Sequence, residues 1–253
     1  MFVPENELER ALMAASTDPV ARPQFYVVFV ASEIFVPHYG PAVSAQEERG
    51  TLKAGAELAF QPLQHDGREM LPIFSSLRRL QNFIPEDAHY LAMKAMDFLK
   101  LTQGATLVLN PGSEYGKELT PSEVASILDG SLWQPIKTFV AEKELSVQLG
   151  QPARYPHALT DALSRLFKGL KNVEVAYLAH FYNPAQDDPP HTLIGIKAAG
   201  NWNDIAGRAG IVLAGVEVPD PPVDFVRIDG TGGLEDYLLK TKPFYKRKAF
   251  GIF

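Results

Sequence analysis

Ala105–Leu128, ATLVLNPGSEYGKELTPSEVASIL, is the stretch from which the fold class of this 253-residue chain is read. Ala105–Leu109 is a short apolar run that suits a half-buried strand. Asn110, Pro111 and Gly112 then punctuate the backbone: Asn closes an Asx turn, Pro presets φ, and Gly takes conformations closed to other residues. Thr120 precedes Pro121, with Glu123 three residues on, the pattern of a capping box that opens a helix. A strand, a rigid loop and a capped helix therefore follow one another here.

The same signals continue toward the N-terminus. Asn6–Ala15 carries Leu8, Ala11, Leu12 and Ala15 on one helical face. Asp18-Pro19 starts a second helix, which runs to about Ala31 and gives way to a strand at Glu33–Pro37. Gly40–Gly55 reads as a loop. Strands at Ala56–Gln64 and Arg68–Phe74 flank His65-Asp66-Gly67, a hairpin turn in which Gly accepts positive φ. Ser75-Ser76 caps a helix beginning at Leu77. A strand at Tyr90–Met93 and a helix at Asp97–Gln103, closed by Gly104, complete this half.

Toward the C-terminus the pattern predicts strand Glu144–Gln148, helix His157–Leu170, and strands Glu174–Tyr182 and His191–Ala198 around the polar loop Asn183–Pro190. Helix Asn203–Leu213, strand Asp224–Ile228 and helix Leu234–Leu239 follow. Strand pairs alternating with helices in each half indicate α+β or mixed α/β domains. The junction falls in Gly130–Lys137, where Gly130, Ser131 and Pro135 cluster and the charge balance changes. The expected domains are residues 1–133 and 134–253.

Composition narrows function. With 46% hydrophobic and 21% charged residues the chain can bury an ordinary core. There is no cysteine, so disulfides, thiolate nucleophiles and thiolate-held metals are excluded. The net charge of −6 is uneven. Residues 1–130 hold 17 acidic and 10 basic side chains, and the remainder 13 and 14. An acidic body argues against nucleic acid, which needs a basic face. Glu5, Glu7, Glu9 and Arg10 stand where a secretory signal would be apolar, and no apolar run approaches the roughly 20 residues that span a bilayer. The expectation is a cytoplasmic protein with no membrane contact.

Several separated segments resemble one family in the same order. They are Asn6–Tyr26 (NELERALMAASTDPVARPQFY), Leu71–Leu80 (LPIFSSLRRL), Leu107–Val124, Gly150–Pro156 (GQPARYP), Leu193–Gly200 (LIGIKAAG) and Lys242–Lys248 (KPFYKRK). Together they are similar to the SseB family, the enhanced serine sensitivity proteins. The resemblance implies an N-terminal and a C-terminal domain, both α+β, each a mixed sheet packed with helices, in a cytoplasmic bacterial protein. It implies no defined enzymatic activity and no cofactor.

No catalytic constellation emerges from the residues. Gly112–Glu118 lies between strand and helix, where a phosphate loop would lie, but it has one residue too few between the glycines and Glu118 where Ser or Thr would hold magnesium. The loop is read as a rigid turn, or as a platform showing Asn110, Gly112, Tyr115, Gly116 and Lys117 to a partner or small anion. Asp229-Gly230-Thr231-Gly232-Gly233 lacks the dinucleotide fingerprint. His65 and His191 fall in loop contexts and His157 near a helix start, so the six histidines read as surface or structural residues and no metal site is expected. Ser75 and Ser76 lack a nucleophile elbow, and Glu47-Glu48 and Asp187-Asp188 read as solvated charges. The tail Lys240–Phe253 interleaves five cations with aromatics; Phe244, Tyr245, Lys246 and Arg247 are its candidate contacts for an acidic protein surface. Packing of Phe244 and Tyr245 on their own domain is the alternative. The expected function is a non-enzymatic adaptor or regulator with a protein partner, which leaves open a homo-oligomer. The rival is a small-anion sensor or enzyme using Asn110–Glu118.

Overall fold

The computed structural model describes residues 2–39, 59–65, 67–85, 89–133, 147–185, 189–230 and 233–247. The chain divides into two compact units, Met1–Gly130 and Ser131–Phe253, each α+β.

In the first unit, Asn6 caps helix α1 (Glu7–Thr17) by accepting from the Glu9 amide. Asp18 caps the 3-10 turn Pro19–Ala21, which leads into α2 (Arg22–Ala31), and β1 (Glu33–Tyr39) follows at once. Strand β1 lies between β2 (Ala59–Phe60) and β5 (Tyr90–Lys94), antiparallel to both. A second sheet orders β3 (Leu63–His65), β4 (Arg68–Ile73), β6 (Leu107–Leu109) and β7 (Lys117–Leu119), with β4 and β6 parallel. Paired backbone bonds between Phe35 and Phe74, both 2.9 Å, tie the two sheets. Helices α3 (Leu77–Phe83), α4 (Ala95–Leu101) and α5 (Pro121–Leu128) complete the unit. Phe29, Ile34, Ile73, Phe74, Phe98 and Leu107 are fully buried. Each such side chain contributes roughly 1.5–3 kcal/mol of burial.

Two differences from the expected elements have physical causes. The stretch expected as one strand at Ala56–Gln64 is divided over its described residues: β2 pairs with β1 and β3 with β4, in separate sheets. The loop after Leu109 is also shorter than expected, because Lys117–Leu119 returns antiparallel to β6. Three residues carry too little alternation to register as a strand. The expected loop at Gly40–Gly55 lies outside the described residues, as does most of the expected strand at Glu144–Gln148.

The second unit is built on a sheet ordered β11 (Val223–Arg227), β10 (His191–Ala198), β9 (Val173–Tyr182) and β12 (Tyr245–Lys246), with β8 (Gln148–Gly150) also on β9. Strands β10 and β11 are parallel, joined through α7 (Trp202–Leu213); β9 and β10 are antiparallel. Helix α6 (His157–Gly169) precedes β9, and α8 (Gly233–Lys240) follows β11. On one face Leu193 packs with Tyr177, Ile228 and Leu238 of α8, and on the other Ile194 and Ile196 are also buried. Burial on both faces suits the unbroken apolar stretch Leu193–Ile196 at the centre of β10. Gly195 lets α8 approach: a Cβ there would meet Leu238 Cδ1 at 2.5 Å. Gly207 serves likewise in α7, where the backbone of Trp133 crosses 2.0 Å from a built Cβ. Among the described residues no helix is long and apolar enough to cross a membrane.

Candidate functional site

The first unit gathers ionisable groups that lie far apart in the sequence. Glu9 faces inward from α1 with no exposed surface. Its Oε1 accepts from Ser75 Oγ at 2.8 Å, Ser76 Oγ at 3.1 Å and Arg79 Nε at 3.0 Å. Its Oε2 accepts from Arg79 Nη2 at 2.9 Å and the Glu5 amide at 2.8 Å. Burial pushes the Glu9 carboxyl up, but the hydrogen bonds from Arg79, Glu5 and Ser75 and the Arg79 charge outweigh it and hold it below its ordinary value. The Glu9 bonds in turn hold the Arg79 guanidinium above its ordinary value against its own desolvation.

Asn110 closes this cluster from the loop. It is 1% exposed and holds φ of +52°, a conformation that Asn tolerates better than most residues. Its Oδ1 accepts from the Ser75 amide at 2.9 Å and its Nδ2 donates to Ser75 Oγ at 2.8 Å. The N-terminal segment lies over the cluster. Arg79 Nη2 donates to the Val3 carbonyl at 2.6 Å, and the guanidinium sits 3.7 Å from the Phe2 ring centroid. The Phe2 amide donates to Glu114 at 3.0 Å, and its ring meets Tyr115 edge-on at 5.0 Å.

The structure therefore brings Asn110 and Tyr115 to one locus beside the Glu9–Arg79 pair. Gly112, at φ +71°, faces the Phe83 ring, and Gly116 lies under the Leu109 and Asn110 carbonyls. Lys117 points elsewhere: its Nζ donates to Glu123 at 2.9 Å and to the Glu118 carbonyl. The Tyr26 hydroxyl also donates to Glu123, and burial followed by this acidic neighbour pushes the phenol well above its ordinary value. Thr120 caps α5 as expected, but Glu123 directs its carboxylate to Tyr26 and Lys117.

Glu9 and Arg79 escape notice in the sequence because each sits among ordinary helix residues. The signal is an acid beside Leu8 and Leu12, and an Arg within Leu77–Leu80, both on buried faces. Every polar atom of the Glu9 cluster named above is engaged inside the fold, so the arrangement ties α1, α3 and the end of β6 together.

In the second unit the tail residues divide. Tyr245 is buried, and its hydroxyl donates to the Phe167 carbonyl at 3.0 Å. Phe244 is half-buried, 6.4 Å from the Phe167 ring. Lys246 is exposed, and the Arg247 guanidinium donates to the Lys171 carbonyl. The strand β12 that orders these residues was not expected. The turn at Asp229-Gly230 does bind an anion, its own Glu235, which accepts both amides at 3.3 and 2.6 Å. His191 lies between the Pro189 carbonyl at 3.1 Å and Asp224 at 2.9 Å. Among the described residues no three His, Asp or Glu side chains form a group able to hold a metal.

Comparison with known proteins agrees with this two-unit plan. The family model for the SseB protein N-terminal domain matches residues 8–126, and that for the SseB protein C-terminal domain matches residues 141–247. The chain is 31% identical over 255 aligned positions to Protein SseB of Escherichia coli (strain K12), covering 98% of this chain and 95% of the relative. Protein SseB of Shigella flexneri matches to the same extent. No solved structure gives a significant match.

Proposed function

The chain belongs to the SseB family, and from that premise we propose that it is a non-enzymatic cytoplasmic protein that acts by binding another protein. The observation that carries this reading is the anchoring of the basic tail. Tyr245 fixes β12 to the sheet through its buried ring and its bond to Phe167, and this presents Lys246 to solvent from an ordered edge strand. Lys240 and Lys242 are exposed just before it. Exposed cations on and just before an anchored strand offer an acidic surface charge-assisted contacts, at a reduced ordering cost for Lys246. In the first unit, by contrast, the ionisable groups that converge are engaged with one another. A small-anion site at Asn110–Glu118 has no comparable support, since Asn110 serves Ser75 and Lys117 serves Glu123.

The test is affinity capture from a cytoplasmic extract with wild-type protein and with Lys242→Glu combined with Lys246→Glu. A stoichiometric protein partner recovered by the wild type and weakened at least ten-fold by the charge reversals is the expected result. Capture that is unaffected by both reversals sinks the tail as the contact surface. Arg247 is the poorer probe, because its guanidinium also supports the Lys171 carbonyl.

A further inference from the structure

We propose that the second unit binds a small zwitterion with an apolar body, in the cavity at the carboxyl ends of β10 and β11. The cavity holds about 450 Å³, within the roughly 300–1,000 Å³ usual for small-molecule sites. Strands β10 and β11 are a parallel pair, and ligands collect beyond the carboxyl ends of such strands, where the outgoing loops diverge. Ile228 and Leu239 give the wall its apolar part, and Leu239, near the end of α8, is 48% exposed.

The charges around the cavity select the ligand. Lys197, Arg227, Glu174 and Asp229 all line it, so cations and anions balance. Such a rim exerts no net pull on an anion such as phosphate, but it orients a molecule carrying one charge of each sign. The backbone amides that would capture a free anion are already filled by Glu235. Arg227 makes one long bond, 3.3 Å, to the Ala198 carbonyl. A guanidinium has five N–H donors, which leaves a fork for a carboxylate. Lys197 and Glu174 meet at 3.2 Å with side chains 54% and 53% exposed. A pair so solvated is weak enough to rearrange around a ligand. A carboxylate such as Asp229 has about four acceptor positions, so it can receive an ammonium in addition to its existing partners. An aliphatic or aromatic α-amino acid is the simplest molecule with this charge pattern and an apolar body. The site uses neither the tail cations nor the Asn110 loop, and it stands independently of the protein-binding reading.

The test is an amide-resolved NMR titration of the full chain with L-leucine and L-phenylalanine. 4-Methylpentanoate, 3-methylbutylamine and inorganic phosphate serve as single-charge probes. The expected result is saturable shifts at Lys197, Arg227 and Gly230 with the amino acids, and at least ten-fold weaker binding of every single-charge probe. Arg227→Met, which keeps the apolar stem of an exposed side chain, should weaken the amino acids at least ten-fold with the remaining spectrum unchanged. Asp229→Asn should do the same from the ammonium side. No saturable shift with either amino acid, or equal binding of 4-methylpentanoate or phosphate, overturns the proposal. So does undiminished amino-acid binding in both variants.

Discussion

Replacing Glu9 by Gln tests whether the buried ion pair holds the first unit together. The side chain keeps its size and loses its charge, leaving the Arg79 guanidinium, 7% exposed, without its counter-ion. Breaking a buried pair from one side costs about 3–5 kcal/mol. Arg79 would retain the Val3 carbonyl and the Phe2 ring face, so the lower end, about 3 kcal/mol, is expected. The assay can separate the units, because both tryptophans, Trp133 and Trp202, lie in Ser131–Phe253. Urea unfolding followed by far-UV circular dichroism reads both units, and tryptophan fluorescence reads the second. With a slope of roughly 2 kcal/mol/M, the first unit's midpoint should fall by about 1.5 M while the fluorescence transition holds its place. The pair also sets an acid limit. Because the folded carboxyl lies below its ordinary value near 4.5, its stabilisation is complete above that pH and is lost as pH falls through the folded value. Glu9→Gln should abolish that dependence. A loss under about 1 kcal/mol would place the pair among those contributing little and refute the reasoning. The double variant Glu9→Gln with Arg79→Met should recover part of the loss, since no charge is then stranded.

Two glycines in α7 should respond in opposite directions. Gly207→Ala places a methyl 2.0 Å from the Trp133 carbonyl oxygen and should destabilise the second unit by about 1–3 kcal/mol in the fluorescence transition. Gly210→Ala meets nothing within 4 Å and should stabilise it by about 0.5–1 kcal/mol through helix propensity. At high pH, the raised Tyr26 value means its contribution is intact below the ordinary phenol value near 10.0 and is lost as pH rises beyond it. Tyr26→Phe should flatten that alkaline decline, and a wild-type phenolate absorbance that titrates at the ordinary value would contradict the Glu123 contact.

Local chemistry explains which features are legible in the sequence. Asn6, Ser76 and Thr120 cap their helices through contacts three residues away, and Leu8 and Leu12 lie on one face by helical period alone. Such interactions close within a turn, so composition and spacing carry them. The α+β class and the family follow from the same short-range segments. Two short elements absent from the sequence expectation, β7 and β12, owe their existence to strands elsewhere in the chain: Lys117–Leu119 to β6, and Tyr245–Lys246 to β9 some seventy residues earlier. The tail admits two readings for that reason, since only the position of Phe167 decides that Tyr245 points inward while Lys246 points out. Glu9, Ser75, Arg79 and Asn110 converge from separate segments, and nothing in the spacing of an acid, a serine pair, an arginine and a turn asparagine requires them to meet. Their meeting is decided by sheet order and helix docking. A charge enters a core only where several distant donors arrive together to replace its water.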